Sequence, residues 1–101
     1  MKNRNIALPE HKIAEFCRRH RIRRLSLFGS VLRDDFRRDS DVDVLVEFEA
    51  GTKVGLSFFG MERELSEMLG RRVQLHTPGW LSPHFRDEVL AEAEVQYEQA
   101  G

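Results

Sequence analysis

The chain has one cysteine, three prolines and no long apolar run. A lone cysteine, Cys17, can close no intrachain disulfide and cannot supply a cysteine-rich zinc site. A reducing, cytoplasmic setting is therefore expected. No stretch approaches the roughly 20 consecutive apolar residues of a membrane-spanning helix. Residues 1–10 lack an apolar leader segment, so a cleaved secretory signal is not expected. The four histidines, His11, His20, His76 and His84, fall at no metal-ligand spacing. Repeats, low-complexity tracts and linkers are also missing. What remains is a length of 101 residues, enough for one domain, residues 1–101, with a single small core.

Net charge is nearly absent too: 16 Lys and Arg against 17 Asp and Glu leave −1. The distribution is uneven. Residues 1–38 hold eleven basic and four acidic residues, and residues 39–101 hold five basic and thirteen acidic. Such a split marks either a surface for a charged partner or simply two solvated helix faces of opposite sign. The basic run at 18–24 lacks interleaved aromatics and the domain is not basic overall, so nucleic-acid binding is disfavoured.

The apolar pattern predicts seven elements. Pro9 suits the start of a first helix, with Ile13, Phe16, Cys17 and His20 at helical spacing. Leu25 and Leu27 mark a first strand that stops at Gly29. Ser30 is expected to cap a short helix over about residues 31–36. Val42, Val44, Leu45, Val46 and Phe48 form a second, largely buried strand. Residues 50–55 read as a loop. Phe58, Met61, Leu65, Met68 and Leu69 form the stripe of a helix that Gly70 closes. Val73 and Leu75 alternate with polar residues in a third strand. A last helix starts near Ser82 or Pro83, with Phe85, Val89, Ala93 and Tyr97 four apart along one side. The order α-β-α-β-α-β-α implies an α/β (α+β) sandwich on a small three-stranded sheet flanked by helices.

One constellation carries chemistry: Gly29-Ser30, then Ser40-Asp41-Val42-Asp43. Asp41 and Asp43 are two apart at the start of a strand, so their carboxylates share a face. Side by side they repel unless a cation sits between them, and a hard ion with oxygen ligands, such as Mg²⁺, suits that place. Glycine admits a ligand close to the backbone, and the N–H groups of a helix start attract phosphate. The connection between the two strands is too short for a parallel crossover, so they are expected to be antiparallel, with both features at one end of the sheet. A phosphate cradle beside two metal-binding acids is the minimum for phosphoryl or nucleotidyl transfer.

Gly29-Ser30-Val31-Leu32-Arg33, followed by Ser40-Asp41-Val42-Asp43-Val44-Leu45-Val46, resembles the signature of the minimal nucleotidyltransferases, the smallest members of the DNA polymerase beta-like superfamily. Val54-Gly55-Leu56, Leu69-Gly70-Arg71-Arg72-Val73 and Thr77-Pro78 extend the resemblance over nearly the whole chain. It implies the polymerase beta-like fold, with a mixed sheet. It implies that Gly29 and Ser30 hold a triphosphate, that Asp41 and Asp43 bind Mg²⁺ and are catalytic, and that Arg33 sits near the outer phosphates. The implied reaction moves a nucleoside monophosphate, AMP from ATP, to a hydroxyl, with pyrophosphate released. For some relatives the acceptor is a tyrosine on a helical toxin of the HEPN type, so the resemblance also implies an antitoxin.

The sequence departs from the family at one position. The third strand usually carries a third carboxylate in a Val-Asp-Leu context, where this chain reads Val73-Gln74-Leu75. Gln74 has no charge and accepts no proton at neutral pH. Glu47 and Glu49 share the parity of the two acids but lie roughly 13–20 Å along the strand from Asp43. His76 shares a face with Gln74 and is a candidate base, though a polar residue at a strand end explains it as well. Cys17 reads as core, and Trp80 with Phe85 as loop packing or a partner patch. Two readings follow. In one, the protein is an enzyme. In the other, Gln74 has removed most catalysis and a binding module neutralises its partner by complex formation. A chain of this length has no room for a separate acceptor-recognition domain, so dependence on a partner is expected in both.

Overall fold

The structure, a computed structural model, describes residues 5–100. Residues 1–4, part of the segment read for a leader, lie outside the described residues. The chain runs α1 (Glu10–Arg19), β1 (Ile22–Phe28), a 3-10 turn (Gly29–Leu32), β2 (Val42–Phe48), α2 (Ser57–Leu69), β3 (Val73–His76), a second 3-10 turn (Pro78–Trp80), α3 (Pro83–Glu92) and β4 (Glu94–Glu98). No helix among these residues is long and apolar enough to cross a membrane.

The strands form one sheet in the order β3-β2-β1-β4. β1 pairs antiparallel with β2, as the short connection demands, and β3 runs parallel to β2 beyond the α2 crossover. The sheet is therefore mixed. Alternation along the strands sends side chains to two faces. Leu25 and Leu27 of β1, Val42, Val44 and Val46 of β2, and Val73 and Leu75 of β3 pack with Ile13, Phe16 and Cys17 of α1 and Phe58, Met61 and Leu65 of α2. Burying each of these larger side chains stabilises the fold by about 1.5–3 kcal/mol before the entropy cost of ordering it. On the opposite face, Phe28 and Leu45 meet Val89 of α3, with Leu81 and Ala93 at the edge. Asp41 and Asp43 share the parity of Leu45, so they lie on the face that α3 covers.

Two local expectations are corrected. The last helix does not reach Tyr97: it stops at Glu92, and Ala93 turns to extended backbone (φ −61°, ψ 136°). Glu94–Glu98 becomes a fourth strand, antiparallel to β1, with Leu25 opposite Tyr97 and Leu27 opposite Glu94. The reason is the outer edge of β1. Left bare, it would strand a row of backbone N–H and C=O groups. Tyr97 still packs against the main core, as its place in the stripe suggested, but it arrives there from a strand. The second correction is at Gly29. The expected helix over 31–36 is a single 3-10 turn, Gly29–Leu32, capped at its start by Phe28 with no side-chain hydrogen bond, so Ser30 lies inside the turn and is not its cap.

Candidate functional site

Register brings the site together. The β1–β2 pairing sets Phe28 opposite Asp43. The chain leaves β1 one residue later, so Gly29 and Ser30 emerge beside the start of β2. Gly29 has φ +80°, a left-handed conformation that other residues adopt at a cost. A Cβ at this position would lie 2.6 Å from Asp43 Oδ2. Glycine is required here twice over, by its backbone angle and by the carboxylate pressed against it. The turn and the acid thus form one cradle.

Both acids are about three-quarters buried and face β3. The parallel register pairs Asp43 with Gln74 and Leu45 with His76. Gln74 Nε2 donates to Asp41 Oδ2 at 2.8 Å. Arg72 Nε lies 3.6 Å from Asp41 Oδ1, and His76 Nε2 lies 3.2 Å from Asp43 Oδ1. Residues 72, 74 and 76 alternate onto one face of β3, which is why all three meet the acids. Gln74, where the family resemblance leads one to expect a third carboxylate, therefore lies against Asp41 with an amide in that place. Asp41 and Asp43, two adjacent carboxylates beside the Gly29 turn, offer the hard oxygen donors that would suit a divalent cation.

Glu92, which sequence reasoning missed, closes the other side of the cradle. Its Oε1 accepts the Gly29 N–H at 3.1 Å, and its Oε2 lies 3.9 Å from Arg33 Nη2. Arg33 therefore projects from the turn toward the end of α3. Nothing in the spacing of the acidic C-terminal segment singles out Glu92. Its role depends on where α3 ends, which was the least legible boundary in the chain.

The other sequence candidates are placed outside the site. Arg19 forms a two-pronged pair with Glu64, at 2.6 and 3.1 Å. This hydrogen bonding holds the Glu64 carboxyl below its usual range. Arg23 and Arg24 pair with Glu47, and Arg24 also with Glu98 at 2.7 Å. Much of the basic run is thus engaged within the fold. Cys17 is fully buried in the core, and desolvation pushes its thiol up to about 12. Trp80 stays two-thirds exposed, its ring 4.5 Å from Phe58. A pocket of about 210 Å³ lined by Arg19, Arg21, Phe48 and Lys53 contains none of the site residues and opens at the far end of β2.

The nucleotidyltransferase domain family matches residues 10–95. A Methanocaldococcus jannaschii protein assigned as a protein adenylyltransferase is 36% identical over 89 residues, covering 88% of this chain and 95% of that protein. The protein adenylyltransferase MntA of Thermococcus cleftensis is 38% identical over 85 residues, 84% of each. A solved structure assigned as a minimal nucleotidyltransferase superposes with a TM-score of 0.70 at 38% identity, covering 83% of this chain and 85% of that one. A chain from the complex of a tri-AMPylated Shewanella oneidensis HEPN toxin with an MNT antitoxin superposes with a TM-score of 0.65. That chain is 22% identical, and the match covers 89% of this chain and 70% of that one. On the family match and these relatives, the chain belongs to the nucleotidyltransferase domain family.

Proposed function

We propose that this nucleotidyltransferase moves AMP from ATP to a hydroxyl on a partner protein, and that the partner is a helical toxin of the HEPN type which the modification silences. The observation that carries the reading is the register of Phe28 opposite Asp43, which sets the Gly29-Ser30 turn against the paired acids. The adenylyltransferase names of the relatives support AMP as the group moved. The toxin complex among the structural neighbours supports the partner class. A single domain, residues 1–101, carries the whole site.

In this reading Gly29 and Ser30 hold the phosphates at the start of the 3-10 turn, and Arg33 exchanges Glu92 for an outer phosphate, whose oxygens match its guanidinium fork. Asp41 and Asp43 would hold Mg²⁺, which would neutralise charge on the triphosphate. The acceptor oxygen forms a bond to the α-phosphorus, the bond from that phosphorus to the bridging oxygen breaks, and pyrophosphate leaves. Gln74 cannot take the hydroxyl proton, so the proton passes to water and the reaction is slow.

A second reading has a specific observation behind it. Gln74 donates to Asp41, and His76 contacts Asp43, so the acids have polar partners without a metal. The protein would then act by complex formation alone. Incubation of the chain with its partner, Mg²⁺ and ATP labelled at the α-phosphate separates the two. Label retained on the partner, and lost with Asp41→Asn plus Asp43→Asn, supports transfer. A stable complex with no label, and unchanged affinity in that double variant, rejects transfer in favour of binding.

A further inference from the structure

Glu92 is the last residue of α3. Val89, one turn earlier on the same side of the helix, is buried against Phe28 and Leu45. That contact seats the end of α3 beside the turn that leaves β1. The Glu92 carboxylate meets two groups there. Its Oε1 accepts the Gly29 N–H at 3.1 Å, and its Oε2 lies 3.9 Å from Arg33 Nη2.

Gly29 and Arg33 are also the groups proposed to hold the triphosphate. A carboxylate and a phosphate seek the same partners, a backbone N–H and a guanidinium. The two anions cannot share them. Asp43 already stands against Gly29, its Oδ2 2.6 Å from where a Cβ would lie. A phosphate added beside both carboxylates would be repelled by each. The phosphate therefore enters as Glu92 leaves. The way out is open, because the Glu92 side chain is 42% exposed and that of Arg33 59%. An ion pair this exposed is weak, so the exchange is a reversible equilibrium. The nucleotide loses affinity in proportion to the time the carboxylate holds the turn.

Resting on the reading of Gly29 and Arg33 as phosphate-binding groups, we propose that Glu92 is an internal competitor of the nucleotide. Its carboxylate takes the acceptor position of a phosphate oxygen, and its displacement sets the affinity of the site for a triphosphate.

Calorimetric titration of the full chain with Mg²⁺ and a non-hydrolysable ATP analogue tests this. Glu92→Ala should bind the analogue about tenfold more tightly than the wild type. Glu92→Asp keeps the charge but shortens the reach by one methylene, and should tighten binding as well. Glu88→Gln removes an equal charge one turn away, from a residue that pairs with His84 at 3.3 Å, and should bind as the wild type does. Inorganic triphosphate should gain affinity with the analogue, and adenosine should not. Unchanged affinity in Glu92→Ala, a gain that Glu92→Asp lacks, or an equal gain in Glu88→Gln overturns the role of Glu92. The Gly29 amide resonance separates that failure from a failure of the phosphate reading. If the analogue shifts it in the wild type and in Glu92→Ala while their affinities are equal, the role of Glu92 falls and the phosphate reading stands. A bound analogue that leaves the resonance unmoved in Glu92→Ala overturns both. No binding of the analogue to any of these chains also overturns both.

Discussion

At Gly29 the backbone angle and the neighbouring carboxylate act together. Gly29→Ala would bear about 1–2 kcal/mol of left-handed strain. It would also drive a methyl into Asp43, whose Oδ2 lies 2.6 Å from the added carbon. Chemical denaturation should show that loss of stability, and affinity for a non-hydrolysable ATP analogue should fall by more than tenfold. Position 74 predicts the opposite sign. Because Gln74 already touches Asp41, Gln74→Asp restores a proton acceptor inside the site, and the transfer rate should rise by about ten- to a hundredfold. An unchanged rate would mean that proton removal does not limit the reaction. The two acids, the glycine and Gln74 were legible as residues because strand parity and a two-residue motif are local. Glu92 was not, because its place at Gly29 depends on a contact 63 positions away.

Elements were legible where the period was long and the stop signal chemical. α2 ends at Gly70, which takes φ +66° as a helix-terminating glycine should. The antiparallel β1–β2 pair followed from the length of its connection. The C-terminal segment failed for a physical reason: residues spaced four apart suit a helix, but β1 had an edge to fill. No local pattern reports that a strand elsewhere lacks a partner. NMR can check this element directly. Residues 94–98 should show strand-type Cα shifts and close Hα contacts between Leu25 and Tyr97 across the β1–β4 pair. Helical shifts through Tyr97 would return the sheet to three strands. The 3-10 turn at Gly29 was missed in the same way, since Ser30 is a good cap for a helix that the chain does not build.

Across the whole molecule, the core holds an ionisable group whose titration is coupled to folding. Cys17 stays protonated in the folded state up to about pH 12, while the exposed thiol of the unfolded chain ionises near its ordinary value of 9.0. Its contribution to stability is therefore complete below about pH 9 and is lost as the pH rises toward 12. Denaturant midpoints measured across this range should fall, and Cys17→Ala should flatten the fall while lowering stability at pH 7 through the cavity it leaves. At the acid end, Glu64 is held low chiefly by its hydrogen bond from Arg19. Its contribution is present above the ordinary carboxyl range and is lost as the pH drops through its folded value. Glu64→Gln should reduce the acid sensitivity.

The near-zero net charge of the whole chain thus conceals a division of labour. Much of the basic run is spent on ion pairs that tie α1 to α2 and β1 to its two neighbouring strands. The acids at one end of β2 meet Gln74, Arg72 and His76 of the neighbouring strand segment. The central claim is that this end of the sheet is the nucleotide site. A crystal structure of the chain with Mg²⁺ and a non-hydrolysable ATP analogue tests it most directly. The account predicts the triphosphate against Gly29 and Ser30, with the ion between its phosphates and Asp41 and Asp43. A nucleotide seated in the Arg19–Lys53 pocket, or phosphates placed away from the Gly29 turn, would contradict it.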